Sequence, residues 1–528
     1  MTAHLKEEFM TETWKPKFNP WLVTIIVSVA AFMELLDTSI ANVALPHIAG
    51  NLGATNDESL WVLISYLVSN AIILPISGWL VSVFGRKRYF LASLALFTVS
   101  SVVCGMAPTL GILLLARVIQ GVGGGGLQPM VQAILADSFP PAKRGAAFAV
   151  FGITAIVAPA VGPTLGGWIT DNYSWRWIFL INLPVGIIAA ALIWYVLEDP
   201  PFLKRAANIR IDYIGFSLLA LGIGSLQVML DKGQEEAWFD SRFITILAIL
   251  SAVCLITLVV WELFQKEPII DVRLFKSSNF AMANIMMFTV GGVLFAGTVL
   301  MPQYLQTLMG YSSLMAGLAM SLGATVLFFE MPLVGQLSAR VPGKYLLLGG
   351  WATLAVTMYT STKVLNLGMN FGSAAWLRLI QSLPLPFIFI PATMAAYVGI
   401  PREKSNEVAG MVNFMRNIGS GVGTSLVATM LARRAQVHQT MLVSHTSWAD
   451  AGFREAVQGF AAKLAHAGVL DAQKQALARM YALVQAQSAA LAFVDAYWMV
   501  AAGATVMIAL AILMKKNDPH AGGRISLH

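Results

Sequence analysis

The chain has 528 residues, 57% hydrophobic and 12% charged, with a mean hydropathy of +0.71 and a net charge of +7. Soluble domains carry roughly 25% charged residues, so the composition excludes a soluble globular protein and predicts a polytopic membrane protein. The positive charge does not point to nucleic acid, because most Lys and Arg residues sit in short segments between apolar runs; Cys104 and Cys254 fall inside such runs, which excludes a disulfide framework or a metal cluster.

The first twenty residues are polar, with Trp14, Lys15 and Lys17 near their end, and carry no cleavable signal. The first span is expected to act as its own uncleaved signal. Runs of about 20 apolar residues predict fourteen spans, at roughly 21–45, 59–81, 89–107, 110–136, 145–170, 177–197, 211–230, 241–264, 279–301, 312–339, 345–362, 372–399, 407–432 and 491–514. The seventh is the weakest, diluted by Gly215, Gly222 and Gly224. Loops after even-numbered spans carry Arg86-Lys87-Arg88, Lys143-Arg144, Lys204-Arg205 with Arg210, Lys266 with Arg273 and Lys276, Arg340 with Lys344, and Arg402 with Lys404. The C-terminal tail carries Lys515-Lys516, whereas segment 46–58 has no Lys or Arg. Basic loops stay in the cytoplasm, so both termini are expected there. Residues 433–490 would then form a long outer connection, with Leu477, Met480, Tyr481 and Val484 at helical spacing. Amphipathic helices are expected in it, serving either as a solvated linker or as a docking surface. The other connections are too short for a soluble catalytic domain.

Leu115-Ala116-Arg117-Val118-Ile119-Gln120-Gly121 in span four recurs as Trp376-Leu377-Arg378-Leu379-Ile380-Gln381-Ser382 in span twelve. Gly78-Trp79-Leu80 with Gly85-Arg86-Lys87 recurs more weakly, at a similar offset, as Gly335-Gln336-Leu337 with Gly343-Lys344. Two six-helix halves with two helices between them would make span four equivalent to span twelve, and duplicated halves around a central site are a transporter architecture.

Span one holds Glu34 and Asp37, one helical turn apart. A charge at mid-membrane costs about 2.5–3.5 kcal/mol even on lenient scales, so these acids face a cavity, hold a partner or carry protons. Arg117 in span four needs a carboxylate or carbonyl partner, and Glu34 and Asp37 are the candidates; a static lock between spans one and four is the plainer alternative. Span five carries Gly152, Pro159, Gly162, Pro163, Gly166 and Gly167, small residues that permit close helix contact and prolines that bend the helix. Glu330 in span ten, Arg378 in span twelve, and Arg416 with Asn413 in span thirteen are further buried polar residues. With Gln128 they form a candidate second polar or substrate site. Asp495 is expected to be solvated near the outer surface. The run Gly121–Gly126 lacks a following Lys-Ser/Thr, so it is not a phosphate loop, and the expected energy source is an ion gradient.

These motifs resemble the major facilitator superfamily, and within it the 14-helix drug:proton antiporters. Span one is similar to L-D-x-T-I-x-N-V-A-L-P from Leu36 to Pro46, with Ser39 at a usual Thr. Span four matches R-x-x-Q-G at Arg117, Gln120 and Gly121; span five matches the antiporter motif G-P-x-x-G-G at Gly162, Pro163, Gly166 and Gly167. Trp175–Pro184 and Gly224–Asp231 look like the EmrB-type pumps of Gram-negative bacteria. The resemblance implies an all-α fold of fourteen spans, two six-helix bundles (21–200 and 271–514) with two inserted helices (201–270), cytoplasmic tails 1–20 and 515–528, and a periplasmic loop 433–490. It also implies a non-enzymatic, proton-coupled exporter of lipophilic compounds in the bacterial inner membrane, without a cofactor. Asp37 would be the main proton carrier, with Arg117 and Glu34 beside it. An EmrA-like periplasmic adaptor and an outer-membrane channel would be its partners. The family's gate loop, G-x-L-A-D-R-x-G-R-K, spans Gly78 to Lys87 with Ser82 replacing Asp, so Gly78, Gly85, Arg86, Lys87 and helix-end carbonyls are expected to form the gate. A metabolite transporter of the same fold is the alternative. A membrane enzyme is disfavoured, because the seven His residues are scattered without catalytic spacing.

Overall fold

The computed structural model describes residues 16–203, 212–266 and 268–514. The expectations for Trp14, Lys15, Lys204, Arg205, Arg210, Lys515, Lys516 and the C-terminal tail lie outside the described residues. The first half runs through α1 (Pro20–Leu52), α2 (Asn56–Phe84), α3 (Arg86–Met106), α4 (Leu110–Gly124), α5 (Leu127–Ser138), α6 (Pro141–Asn172), α7 (Trp177–Leu180) and α8 (Asn182–Val196). Next come α9 (Tyr213–Lys232) and α10 (Arg242–Phe264). The rest comprises α11 (Ser278–Thr307), α12 (Ser313–Leu337), α13 (Gly343–Val364), α14 (Phe371–Ser382), α15 (Leu385–Ala396), α16 (Ser405–Val443), α17 (Ala451–His466) and α18 (Ala472–Leu513).

Among the described residues, eleven helical segments are long and apolar enough to cross a membrane; α4 with α5, α7 with α8, and α14 with α15 each count as one. Of the other three long helices, α13 and α16 fall below that hydropathy, whereas α11 is apolar over Ser278–Leu294. Buried Asn284, Ser361 and Asn413 lie on them, and a helix shielded by its neighbours tolerates polar residues that lipid would not.

Spans four and twelve, predicted as continuous helices, are each broken just beyond the repeated Arg-x-x-Gln. The first breaks at Gly125-Gly126 and the second at Leu383-Pro384. The glycine run packs closely: a Cβ on Gly121 would lie 2.0 Å from Ser69 Oγ of α2, and one on Gly123 2.6 Å from the Phe97 nitrogen of α3. Close helix approach, not phosphate binding, accounts for the glycine run. The weak seventh span is a full helix, in which Gly222 faces Leu255 of α10, with 2.8 Å between a built Cβ and Leu255 Cδ2.

The halves meet where α2 packs on α16 and α6 packs on α12, while α9 lies against α2 and α10. An eight-span offset relates span two to ten and five to thirteen, so the two contacts exchange under the repeat, as duplicated halves require. At the far end, α16 and α18 have 39 and 42 residues, about 58 and 63 Å at 1.5 Å per residue. Both exceed a hydrocarbon core of about 30 Å. α17 packs on α18 through Val457, Leu464 and Ala476, so segment 433–490 is largely helical.

Candidate functional site

Asp37 projects from the middle of α1 into a buried polar cluster. Its Oδ2 lies 2.6 Å from Arg117 Nη1, and its Oδ1 accepts from Gln120 Nε2 at 3.0 Å and Asn182 Nδ2 at 2.7 Å. Arg117 and Gln120, three apart on α4, share a helix face, which lets one helix supply both donors. Arg117 Nε donates to the Val62 carbonyl at 3.0 Å, and the Tyr66 and Phe179 rings flank the guanidinium at 4.3 and 5.5 Å. Asp37, Arg117, Gln120 and Asn182 are all at most 2% exposed. The pair therefore lies in a low-dielectric setting, where loss of one partner costs about 3–5 kcal/mol.

Glu34 is one turn away but does not share Arg117. Its Oε1 accepts from Tyr66 Oη at 3.0 Å and Asn70 Nδ2 at 3.1 Å, and its Oε2 from Gln128 Nε2 at 2.5 Å. The reading of both acids as candidates for Arg117 is thus resolved: three residues of helix turn and rise aim the two side chains at different neighbours. Gln128 Oε1 in turn accepts from Arg416 Nη2 on α16, and one turn along α5 Gln132 exchanges hydrogen bonds of 2.9 and 3.4 Å with Asn413. Gln128 and Gln132 of the first half therefore face Asn413 and Arg416 of the second, linking Glu34 to the opposite half.

Glu330 and Arg378 join neither network. Glu330 is half-buried on α12, less buried than its sequence context suggests, and its Oε2 has no hydrogen-bond partner. Arg378 is buried on α14, where Nη1 donates to the Gly297 carbonyl at 3.0 Å. Asp495 is not merely solvated: it bonds Arg434 at 2.5 Å and His438 at 2.7 Å on α16.

The glycine-proline helix α6 runs along α1. Pro163 has no N–H to give the Pro159 carbonyl, and Ser39 Oγ donates to that carbonyl at 3.0 Å. A Cβ on Gly162 would sit 2.4 Å from Ser39 Oγ, and one on Gly166 3.0 Å from Ile40 Cγ2. Gly152 instead faces Met331 of α12, and Gly167 faces open space. Close packing therefore accounts for Gly162 and not for Gly167. Gly162→Ala is expected to cost about 1–3 kcal/mol by overpacking and Gly167→Ala close to nothing, read as the difference in thermal midpoint in detergent.

At the Arg86 end of the molecule, Gly85 adopts φ +81°, which favours glycine. Arg86 does not rest on helix-end carbonyls as expected: its Nη2 lies 2.5 Å from Asp137 Oδ2, with both side chains buried. Ser405 Oγ of α16 donates to Asp137 Oδ1 at 2.8 Å. Ser82 only caps its own turn, on the Trp79 carbonyl, and the carboxylate comes from α5. The Lys87 backbone N–H donates to Asp199 at 2.7 Å. Nearby, a Cβ on Gly78 would meet Glu407 Cα at 2.7 Å, Lys404 pairs with Asp271, and Gly145 of α6 abuts Gly335 of α12. Toward the other end, Trp238 Nε1 donates to Thr429 Oγ1 at 3.0 Å. Between the halves remains an apolar cavity of about 10 Å³ beside Gly152, Trp351 and Phe389, barely the size of one water. The halves pack directly on one another at the Arg86 end.

Sequence reasoning passed over Asn182, Tyr66, Asn70 and Asp137 as site residues. Each is a polar side chain in or beside an apolar run, a signal that marks interior positions without naming their partners.

The family model for the Major Facilitator Superfamily matches residues 27–424. The chain is 38% identical over 455 residues to the multidrug export protein EmrB of Haemophilus influenzae, covering 86% of this chain and 88% of the relative. It is 36% identical over 507 residues to the multidrug export protein EmrB of Escherichia coli K12, covering 96% and 98%. The proton:xylose symporter XylE shares the fold alone, with a TM-score of 0.61, 13% identity, and 95% and 97% coverage.

Proposed function

The chain belongs to the major facilitator superfamily, and from that premise we propose that it is a multidrug efflux transporter, exchanging lipophilic compounds for protons by alternating access. The observation that carries this reading is the Asp37–Arg117 pair, sealed from solvent on α1 and α4, with Glu34 beside it tied through Gln128 to Arg416. Asp37 holds three donors on α4 and α8 while ionised. A proton on it removes the charge that compensates Arg117 and weakens all three bonds. Spans one, four and six then loosen together. Glu34 sits where a lipophilic compound between the halves would compete with Arg416 for Gln128. One acid thus answers the proton and its neighbour the contact between halves, and the two changes are exchanged through a single turn of α1. The nearby wall is apolar and includes Trp351, Leu354 and Phe389, surfaces that bind many shapes by area rather than by directed bonds.

In the proposed setting, a bacterial inner membrane, both termini and the Arg86–Asp137 latch face the cytoplasm. The outward ends of α16 and α18 with α17 face the periplasm and meet an adaptor leading to an outer-membrane channel. The two halves, 21–200 and 271–514, move as rigid bundles, with 201–270 as a flank on α2. Asp37, Glu34 and Arg117 carry coupling, α6 provides the sliding face against α1, and Gln128, Asn413 and Arg416 report substrate. Proteoliposomes holding a pH gradient test the reading: lipophilic dyes added singly are expected to trigger proton movement in exchange for dye. Dye movement that is indifferent to the gradient would overturn it.

A further inference from the structure

The repeat that places Arg117 in span four places Arg378 in span twelve, but the two cations are treated differently. The counterpart of α1 is α11, whose sequence from Ser278 to Thr307 contains neither Asp nor Glu. Arg378 is 6% exposed, its Nη1 reaches only the Gly297 carbonyl, and its Nε is buried without any partner. No carboxylate bonds it among the described residues. Nearby buried polar groups include the hydroxyls of Tyr304 on α11 and Tyr497 on α18, both 0% exposed; Tyr497 faces the Gln381 amide, whose Oε1 is likewise buried without a partner. Tyr497 is within electrostatic reach of both Arg378 and Tyr304. Gln381 and Ser361 complete the surround, Gln381 Nε2 donating to Ser361 Oγ at 2.8 Å. Gly297 and Gly323 let the guanidinium pack directly against the backbones of α11 and α12, since a Cβ on either would come within 3.2 or 3.1 Å of it.

A guanidinium does not readily shed its proton, and an uncompensated charge in a protein interior is costly. A buried guanidinium Nε–H without a partner, a fixed positive charge and no acid on the helix that supplies one in the other half point to an anion as the missing component. We propose that Arg378, Tyr304 and Tyr497 form a binding site for one small monovalent anionic group, a halide or a carboxylate. The site is separate from the Asp37 cluster and does not rest on the export reading. Arg378 Nε–H and the two phenolic O–H groups would each donate to the anion, and its charge would do for Arg378 what Asp37 does for Arg117. The first half thus carries its counter-ion covalently, and the second takes it from solution or from a bound molecule.

Thermal unfolding of the full chain in nonionic detergent tests this, with the bulky sulfonate MES as sole anion and then with chloride or acetate in its place at constant ionic strength. The midpoint of the parent is expected to rise saturably by about 2–4 °C with the anion that fits, and Arg378→Gln to abolish the rise. Tyr497→Phe keeps charge and shape, and is expected to need several-fold more anion for the same rise; it decides the matter where Arg378→Gln does not fold. A rise with chloride identifies a halide site, and one with acetate alone a carboxylate site. Equal midpoints in all three anions overturn the proposal. So does a rise that persists in Arg378→Gln, or, where that variant is unfolded, parent-like anion dependence in Tyr497→Phe.

Discussion

Asp37→Asn is expected to end drug-triggered proton movement while also destabilising the fold, and the two effects separate in a second variant. An amide keeps only one accepting oxygen and cannot release a proton. Its NH2 must also point at a ring of donors, because Arg117, Gln120 and Asn182 all give hydrogen bonds to the carboxylate. Arg117 is left as a buried charge with no counter-charge, at a cost of about 3–5 kcal/mol. Asp37→Asn combined with Arg117→Gln removes both charges and is expected to recover most of that stability, read as thermal midpoint, without restoring proton movement. Asp37→Glu keeps the titrating group, one methylene displaced, and is expected to retain reduced exchange. Recovery of proton movement in the doubly neutral variant would assign coupling elsewhere, with Glu34 as the next acid to replace.

The sequence made the helical architecture legible because burial in lipid forces every backbone polar group into a helix, and hydropathy then records the spans. Where the helices turn inward, that record fades: α16 carries Glu407, Asn413, Arg416 and Asn417 and is less apolar than a lone span, yet lies between α2, α11 and α18. The Asp37 and Arg117 positions were legible because an intramembrane charge is rare enough to be conspicuous. Their division of partners was not. Whether Arg117 meets Glu34 or Asp37 depends on the rotation of α1 against α4, which a linear pattern does not encode. The Arg86 latch was misread for a related reason. The residue expected opposite it, at position 82, is Ser, whereas the carboxylate is Asp137, fifty-one positions downstream of Arg86, and only packing brings α5 beneath α3. The breaks after Arg117 and Arg378 escaped notice because glycine and proline runs within an apolar stretch do not lower its hydropathy enough to end a predicted span.

Removing either side of the Arg86–Asp137 latch is expected to open that end of the molecule. Arg86→Ala strands a buried carboxylate and Asp137→Ala a buried guanidinium, so each is expected to cost about 3–5 kcal/mol. The double replacement is expected to cost clearly less than the sum, because the stranded charge is gone in both. The cost falls mainly on the closed state, since Ser405 of α16 shares Asp137 and draws the second half onto the first only while the halves meet. A destabilised closed state shifts the population toward the open one by tenfold per 1.4 kcal/mol. Both native cysteines are buried, so a cysteine placed at Ala155 in the central wall reports access cleanly. Its reaction with a membrane-impermeant maleimide supplied from the latch side is expected to quicken at least about tenfold in Asp137→Ala. Supplied from the opposite side, it is expected to slow. Unchanged rates from both sides, in a folded variant, would make the ion pair a local brace of α3 on α5 rather than a gate. Ser405 would then be a helix-end contact without a part in closure.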